Sequence, residues 1–75
     1  MTDYAKIKAM VKVFKNYGIP HPSKVLDSPF ETELGFDKAY LGGLIFDVEE
    51  ALQVILTDEE IPLLRLPKDL FGHIC

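Results

Sequence analysis

Apolar side chains recur at helical spacing over separate stretches of the chain, with polar and turn-forming residues between them. Tyr4, Ile7, Met10, Val11, Phe14 and Tyr17 follow an i, i+3, i+4, i+7 pattern. They predict an amphipathic helix of about four turns with its lysines on the outer face. Thr2 or Asp3 is placed to cap its start, and Gly18 with Pro20 just beyond is placed to end it. A second stripe, Ala39, Leu41, Leu44, Ile45, Val48, Ala51, Leu52 and Ile55, follows Asp37, which has the chemistry of an N-cap. Thr57-Asp58-Glu59-Glu60 has the form of a capping box, and Pro62 restricts what it starts to a short helix. Pro67 suits the first turn of a last helix running to about Ile74, with Leu70, Phe71 and Ile74 inward.

Between the first two stripes lie Gly18, Pro20, Pro22, Ser23, Ser28, Pro29 and Gly35. Prolines fix φ and remove donors, so most of this stretch is expected to be a long loop. Val25, Leu26, Phe30, Leu34 and Phe36 are expected to pin it to the core, with a short helical turn around 28–34. No stretch alternates at period two, so no strand is predicted. The expectation is an all-α fold: a small four-helix bundle of three main helices and one short one, with a long first loop, in a single domain over 1–75. Short amphipathic helices cannot each bury a face alone and must pack together.

Length and charge narrow the function. At 75 residues the chain has room for one small core and little more. It carries 8 Lys and Arg against 12 Asp and Glu, a net charge of −4. Five lysines and one acid give +4 up to Leu26, ten acids and Lys38 give −9 from Asp27 to Glu60, and the remainder gives +1. This balance argues against a nucleic-acid binder, which needs clustered cations. Cys75 has no partner for an internal disulfide, and with His21 and His73 it cannot supply four zinc ligands. No apolar run approaches the roughly 18 residues of a membrane span, and the first residues lack a signal-type apolar block. A soluble, cytoplasmic protein without a metal is expected. No enzyme activity is expected either: neither histidine has a nearby nucleophile to suggest a triad. The acids at 58–60 lack the alternating spacing of a calcium loop, and Gly42-Gly43 lacks the Lys-Ser/Thr of a phosphate loop.

Leu34-Gly35-Phe36-Asp37-Lys38-Ala39 leads into the second helix, and Phe30 stands four residues before it. Val48-Glu49-Glu50-Ala51-Leu52 closes that stripe, and Asp58-Glu59-Glu60, then Asp69, Phe71 and Ile74, follow in register. In this arrangement the chain resembles the acyl carrier protein family, whose second helix opens with Leu-Gly-x-Asp-Ser-Leu. In that family the serine hydroxyl is linked by a phosphodiester to 4′-phosphopantetheine, whose thiol holds the acyl group. Here Lys38 stands in that place, and an ammonium cannot form the phosphodiester. Asp37 and Ala39 offer no hydroxyl either, and Ser23 and Ser28 lie upstream in the loop.

The resemblance therefore implies a carrier-like, non-catalytic protein of fatty-acid, lipid or polyketide synthesis that carries no 4′-phosphopantetheine. It would bind basic surfaces of acyl-chain-processing enzymes through Asp37, Lys38, Tyr40, Gly42, Gly43, Asp47, Glu49 and Glu50, with the acids at 58–60. Lys38 has a plainer reading as a surface lysine released from an old duty. Two rival expectations stand beside this one. The first is a conventional acyl carrier bearing 4′-phosphopantetheine. The second is a helical dimerisation module using Tyr40, Gly42 and Gly43. The chain is expected to be a monomer or weak dimer. Each helical glycine costs about 1 kcal/mol against alanine, so the pair implies either a frayed helix or the close approach of another. Without an arm, the core is expected to be filled by its own side chains.

Overall fold

The computed structural model, which describes residues 3–74, places helices close to where the apolar stripes put them. They are α1 (Asp3–Asn16), α2 (Lys38–Leu52) and α3 (Pro67–Ile74), with 3₁₀ turns at Pro22–Lys24 and Ile61–Leu63. The described residues contain no strand. The described residues are thus all-α with three α-helices. The short helix expected after Thr57 is a turn followed by 3₁₀, because Pro62 contributes no N–H for an α-helical ladder.

α1 buries its C-terminal half. Met10 and Phe14 are closed to solvent and Val13 joins them, whereas Tyr4 is 71% exposed and Ile7 42%. The expected stripe is therefore corrected: the first two turns extend past the core, and the buried face is Met10, Val13 and Phe14. The helix ends as Gly18 implies. Gly18 has φ +85°, its N–H donates to the Lys15 carbonyl at 3.1 Å, and the Ile19 N–H reaches back to Phe14 O at 2.9 Å. This pairing is a Schellman cap, and buried Ile19 against Phe14 supplies its apolar contact. The cap expected at Thr2 lies outside the described residues, as does Cys75.

α2 starts at the expected cap, with Asp37 Oδ1 accepting from the Tyr40 N–H at 2.8 Å. Leu44, Ile45, Val48 and Leu52 are buried, while Ala39 and Ala51 of the expected stripe are exposed. Ile55 lies beyond the helix and is 89% exposed. The helix stops earlier than its apolar pattern because Gln53 turns left-handed (φ 55°), with its N–H and that of Val54 both donating to the Glu49 carbonyl. The Glu49 carboxylate then accepts from the Leu56 N–H at 3.1 Å and holds the exit.

The capping box forms reciprocally. The Glu60 N–H donates to Thr57 Oγ1 at 3.2 Å, and Glu60 Oε1 accepts from the Thr57 N–H at 3.3 Å. In α3, Asp69 accepts from the Leu66 N–H at 3.1 Å, and Leu70 is buried with Phe71 and Ile74 packed beside it.

The long loop is tied down at several points. Glu33 and Leu34 both donate to the Pro29 carbonyl, closing one turn where the short helical turn was expected around 28–34. Phe30 is 1% exposed. Its N–H donates to Arg65 O at 3.0 Å, its carbonyl accepts from Phe36 N at 2.8 Å, and its ring packs against Phe14 and Phe36. Farther along, the Lys68 N–H donates to Leu26 O, and Lys68 pairs with Asp27 at 2.7 Å.

Phe30→Ala is expected to cost about 3–5 kcal/mol, comparable with the whole stability of so small a domain. Urea unfolding followed by circular dichroism should show loss of the cooperative transition or a large drop in its midpoint. Tyr4→Ala should stay within about 0.5 kcal/mol of the parent, since its ring is outside the core.

Candidate functional site at the start of α2

The residues singled out in the sequence fall along one helix but do different work. Lys38 is the first residue of α2 and is exposed, directly after the Asp37 cap. The Asp37 carboxylate is engaged in capping. Ala39 is exposed beside them. No acid follows in the first turn of α2, so the negative charge beside this cation at the positive end of the helix is that of the Asp37 cap.

Tyr40 belongs to an aromatic cluster. Its ring meets Phe36 edge-on at 4.6 Å and Tyr17 at 5.0 Å between centroids, favourable arrangements for aromatic quadrupoles. Its hydroxyl donates to the Tyr17 carbonyl at 3.0 Å. Tyr17 in turn crosses α2 and donates to Asp47 Oδ2 at 2.6 Å, thirty residues away. Gly43 makes this crossing possible: a Cβ there would lie 3.0 Å from the Tyr17 hydroxyl. The close approach expected of the glycine pair is thus made at Gly43 by a side chain of the same chain. Gly42 differs, since a Cβ added to it meets nothing within 4 Å.

The acids also divide. Asp47 is held by Tyr17, Glu49 by the Leu56 N–H, and Glu60 by Thr57 and His73. Glu50, Asp58 and Glu59 are exposed, and no ion pair to them is found among the described residues. Hydrogen bonds from Thr57, and then His73, hold the Glu60 carboxyl below its ordinary range. The hydrogen bond to Asp47, with some burial and the charge of that carboxylate, pushes the Tyr17 phenol up to about 12.

An open cleft of about 520 Å³ lies beside Lys38. Its walls include buried Ile45 and Leu64 and half-buried Leu41 and Ile61, with Lys38, Arg65 and Glu31 exposed at its edge. Ile45 and Leu64, both members of the buried core, line this free volume. Sequence reasoning missed Arg65 as a second base lining the cleft and missed Tyr17 as the partner of Asp47. Both placements arise only through tertiary packing, and no local spacing marks them. No cluster of potential metal ligands occurs among the described residues, and no helix there is long and apolar enough to cross a membrane.

Gly42→Ala should stabilise the protein by about 0.5–1 kcal/mol, because the site is helical and open. Gly43→Ala should gain less or lose stability, and in a Tyr17→Phe background the difference between the two should shrink. Chemical denaturation of the four variants checks this as a double-mutant cycle. The Tyr17 phenol also sets a pH limit. Its folded pKa is raised from about 10 to about 12, so its contribution is complete below pH ~10 and is lost as pH rises through the folded value. Absorbance at the tyrosinate band should show a late-ionising group that Tyr17→Phe removes, and alkaline destabilisation should be smaller in that variant.

Comparison of the chain with protein-family models, with curated proteins and with solved structures finds no match.

Proposed function

We propose that this chain is an acyl-carrier-like, non-catalytic protein of the cytoplasm that works by binding enzymes of acyl-chain metabolism and does not carry 4′-phosphopantetheine. In this reading α1, α2, the Ile61–Leu63 turn and α3 stand for the four helices of a carrier bundle. The observation that carries it is Lys38: an exposed amine directly after the Asp37 cap, in the place where the motif has its serine. The residues present do not fit the cofactor, because neither Asp37, Lys38 nor Ala39 supplies a hydroxyl for a phosphodiester. Glu50, Asp58 and Glu59, exposed and not used in capping, are the acids that remain to meet a basic partner. Asp37, Asp47 and Glu49 contribute charge there while already holding the fold.

The dimerisation reading keeps one support, the exposed apolar side chains of Phe46 (59%) and Leu63 (71%). It loses another, because Gly43 is filled by Tyr17. Sedimentation over a wide concentration range decides it: a strict monomer removes this alternative.

Incubation with a broad phosphopantetheinyl transferase and coenzyme A, followed by intact mass measurement, should leave the parent unmodified. Lys38→Ser should gain one phosphopantetheine. Modification of the parent would restore the conventional carrier reading, and failure of both proteins would remove the carrier-like one.

A further inference from the structure

Exposed apolar side chains occur on two surfaces of opposite charge. The first is a groove of about 400 Å³ between α1, the loop that follows it and α3, with Ile7, Val11, Leu26 and Phe71 as its apolar walls. No acid lines it, and Asp27 beside it is engaged by Lys68 at 2.7 Å. Lys8 and Lys15 stand three and four residues from Val11, so they share its side of α1. Lys24 ends the 3₁₀ turn whose Pro22 lines the groove. These three lysines are exposed, and no ion pair to them is found among the described residues. Tyr4, whose ring lies 5.4 Å from the Lys8 ammonium, carries the apolar strip on past the groove.

The second surface is where α2 ends. Left-handed Gln53 stops the helix, and Ile55 projects into solvent, 89% exposed. It shares a shallow patch with exposed Phe46 and with Glu49 and Glu50. Glu50, and Asp58 and Glu59 just beyond, are exposed. An apolar projection is thus ringed by carboxylates. The two surfaces do not meet within one molecule: no residue from 46–59 lines the groove, and no residue of α1 or the loop lines the patch around Ile55.

We propose that the groove of one molecule takes the Ile55 projection of a second copy of the chain. Burial of apolar surface supplies the attraction. Lys8, Lys15 and Lys24, set against Glu50, Asp58 and Glu59, steer the encounter and fix its orientation. Charge singles out a second copy as the occupant: the groove's lysines on α1 and the turn belong to the stretch of +4 that ends at Leu26, and the projection to the stretch of −9 from Asp27 to Glu60. The two surfaces differ, so the contact is heterologous, and each molecule offers one of each in a head-to-tail association. One side chain and its ring of charges is a small contact beside the ~800 Å² per partner of a standard interface, so the association is weak and depends on concentration. It is distinct from a dimer formed through Leu63. It does not rest on the carrier-like reading, although a second copy competes with any basic partner for Glu50, Asp58 and Glu59.

Sedimentation velocity of the whole chain at about 0.02 M salt should show association rising with concentration, weakened about tenfold at about 0.5 M as screening shortens the reach of these charges. Ile55→Ser should abolish it, and Leu63→Ser should leave it unchanged. Lys8→Glu with Lys15→Glu, and separately Glu50→Lys with Glu59→Lys, should each give a monomer, with circular dichroism verifying that both proteins stay folded. An equimolar mixture of these two double variants should associate again, because each groove then meets a projection of opposite charge, and mixing would not repair a structural defect. A strict monomer at low salt, association that survives Ile55→Ser or is lost in Leu63→Ser, or a mixture that stays monomeric would each overturn the proposal. A strict monomer that binds phosphatidylglycerol vesicles would assign the groove to an anionic membrane instead.

Discussion

The burial of Phe30 is the constraint on which the rest of the molecule depends. Twenty-one residues separate the end of α1 from the start of α2, and they contain only one 3₁₀ turn. Loop closure of this length is entropically unfavourable, and the loop has little regular hydrogen bonding to offset it. Phe30 compensates in three directions at once. Its ring meets Phe14 of α1 and Phe36 just before α2. Its N–H takes the carbonyl of Arg65, immediately upstream of the approach to α3. One side chain and its two backbone groups thus tie all three helices to the loop. The position of Lys38, two residues after Phe36, is inherited from that tie, and so is the closeness of Arg65 to the cleft.

A second constraint is the crossing of α1 over α2. Tyr17 lies at the C-terminal end of α1, and its ring passes over Gly43 to reach Asp47. The cost of a helical glycine is offset by the aromatic contact and charge-assisted hydrogen bond that it admits. This arrangement changes how the acidity of the chain is understood. Clustered carboxylates look alike in a sequence, yet here Asp37, Asp47, Glu49 and Glu60 each accept a hydrogen bond that closes a helix end or a helix crossing. The acids with no such bond, Glu31, Glu33, Glu50, Asp58 and Glu59, are fewer than the charge count implies.

Much of the fold was legible because its signals are local. Asp37, Gly18 and Pro67 each mark an element end through chemistry contained within a few residues, and each end lies where that chemistry puts it, whereas Thr57 with Glu60 closes a turn without opening an α-helix. Periodicity was less informative about which part of a stripe is covered. Tyr4 and Ile7 share the helical spacing of Met10 and Phe14, but spacing does not reveal how far the neighbouring helices extend. Ile55 continued the α2 stripe in sequence, whereas the left-handed Gln53, a conformation uncommon for a residue with a Cβ, ends the helix before it. The candidate site was the least legible part. Lys38 could be picked out from its position after Asp37, but Arg65 lines the same cleft only through tertiary packing, which has no signature in the order of residues.

The two ends of α2 consequently have opposite electrostatic character. At the N-terminal end the helix dipole and Lys38 favour an anion, and the Asp37 carboxylate is turned to the backbone as a cap. Toward the C-terminal end, Asp47, Glu49 and Glu50 sit where the dipole is negative, with no basic residue in the last turn to offset them. A basic protein surface approaching α2 is therefore attracted to its C-terminal half and repelled from Lys38. A small anion experiences the reverse, and at physiological ionic strength each field acts over only about 8 Å. Since α2 spans 15 residues, or roughly 22 Å at 1.5 Å per residue, the two fields are separated by more than one screening length. The helix thus presents opposite charge at its two ends, so a basic surface and an anion would not compete for the same part of it.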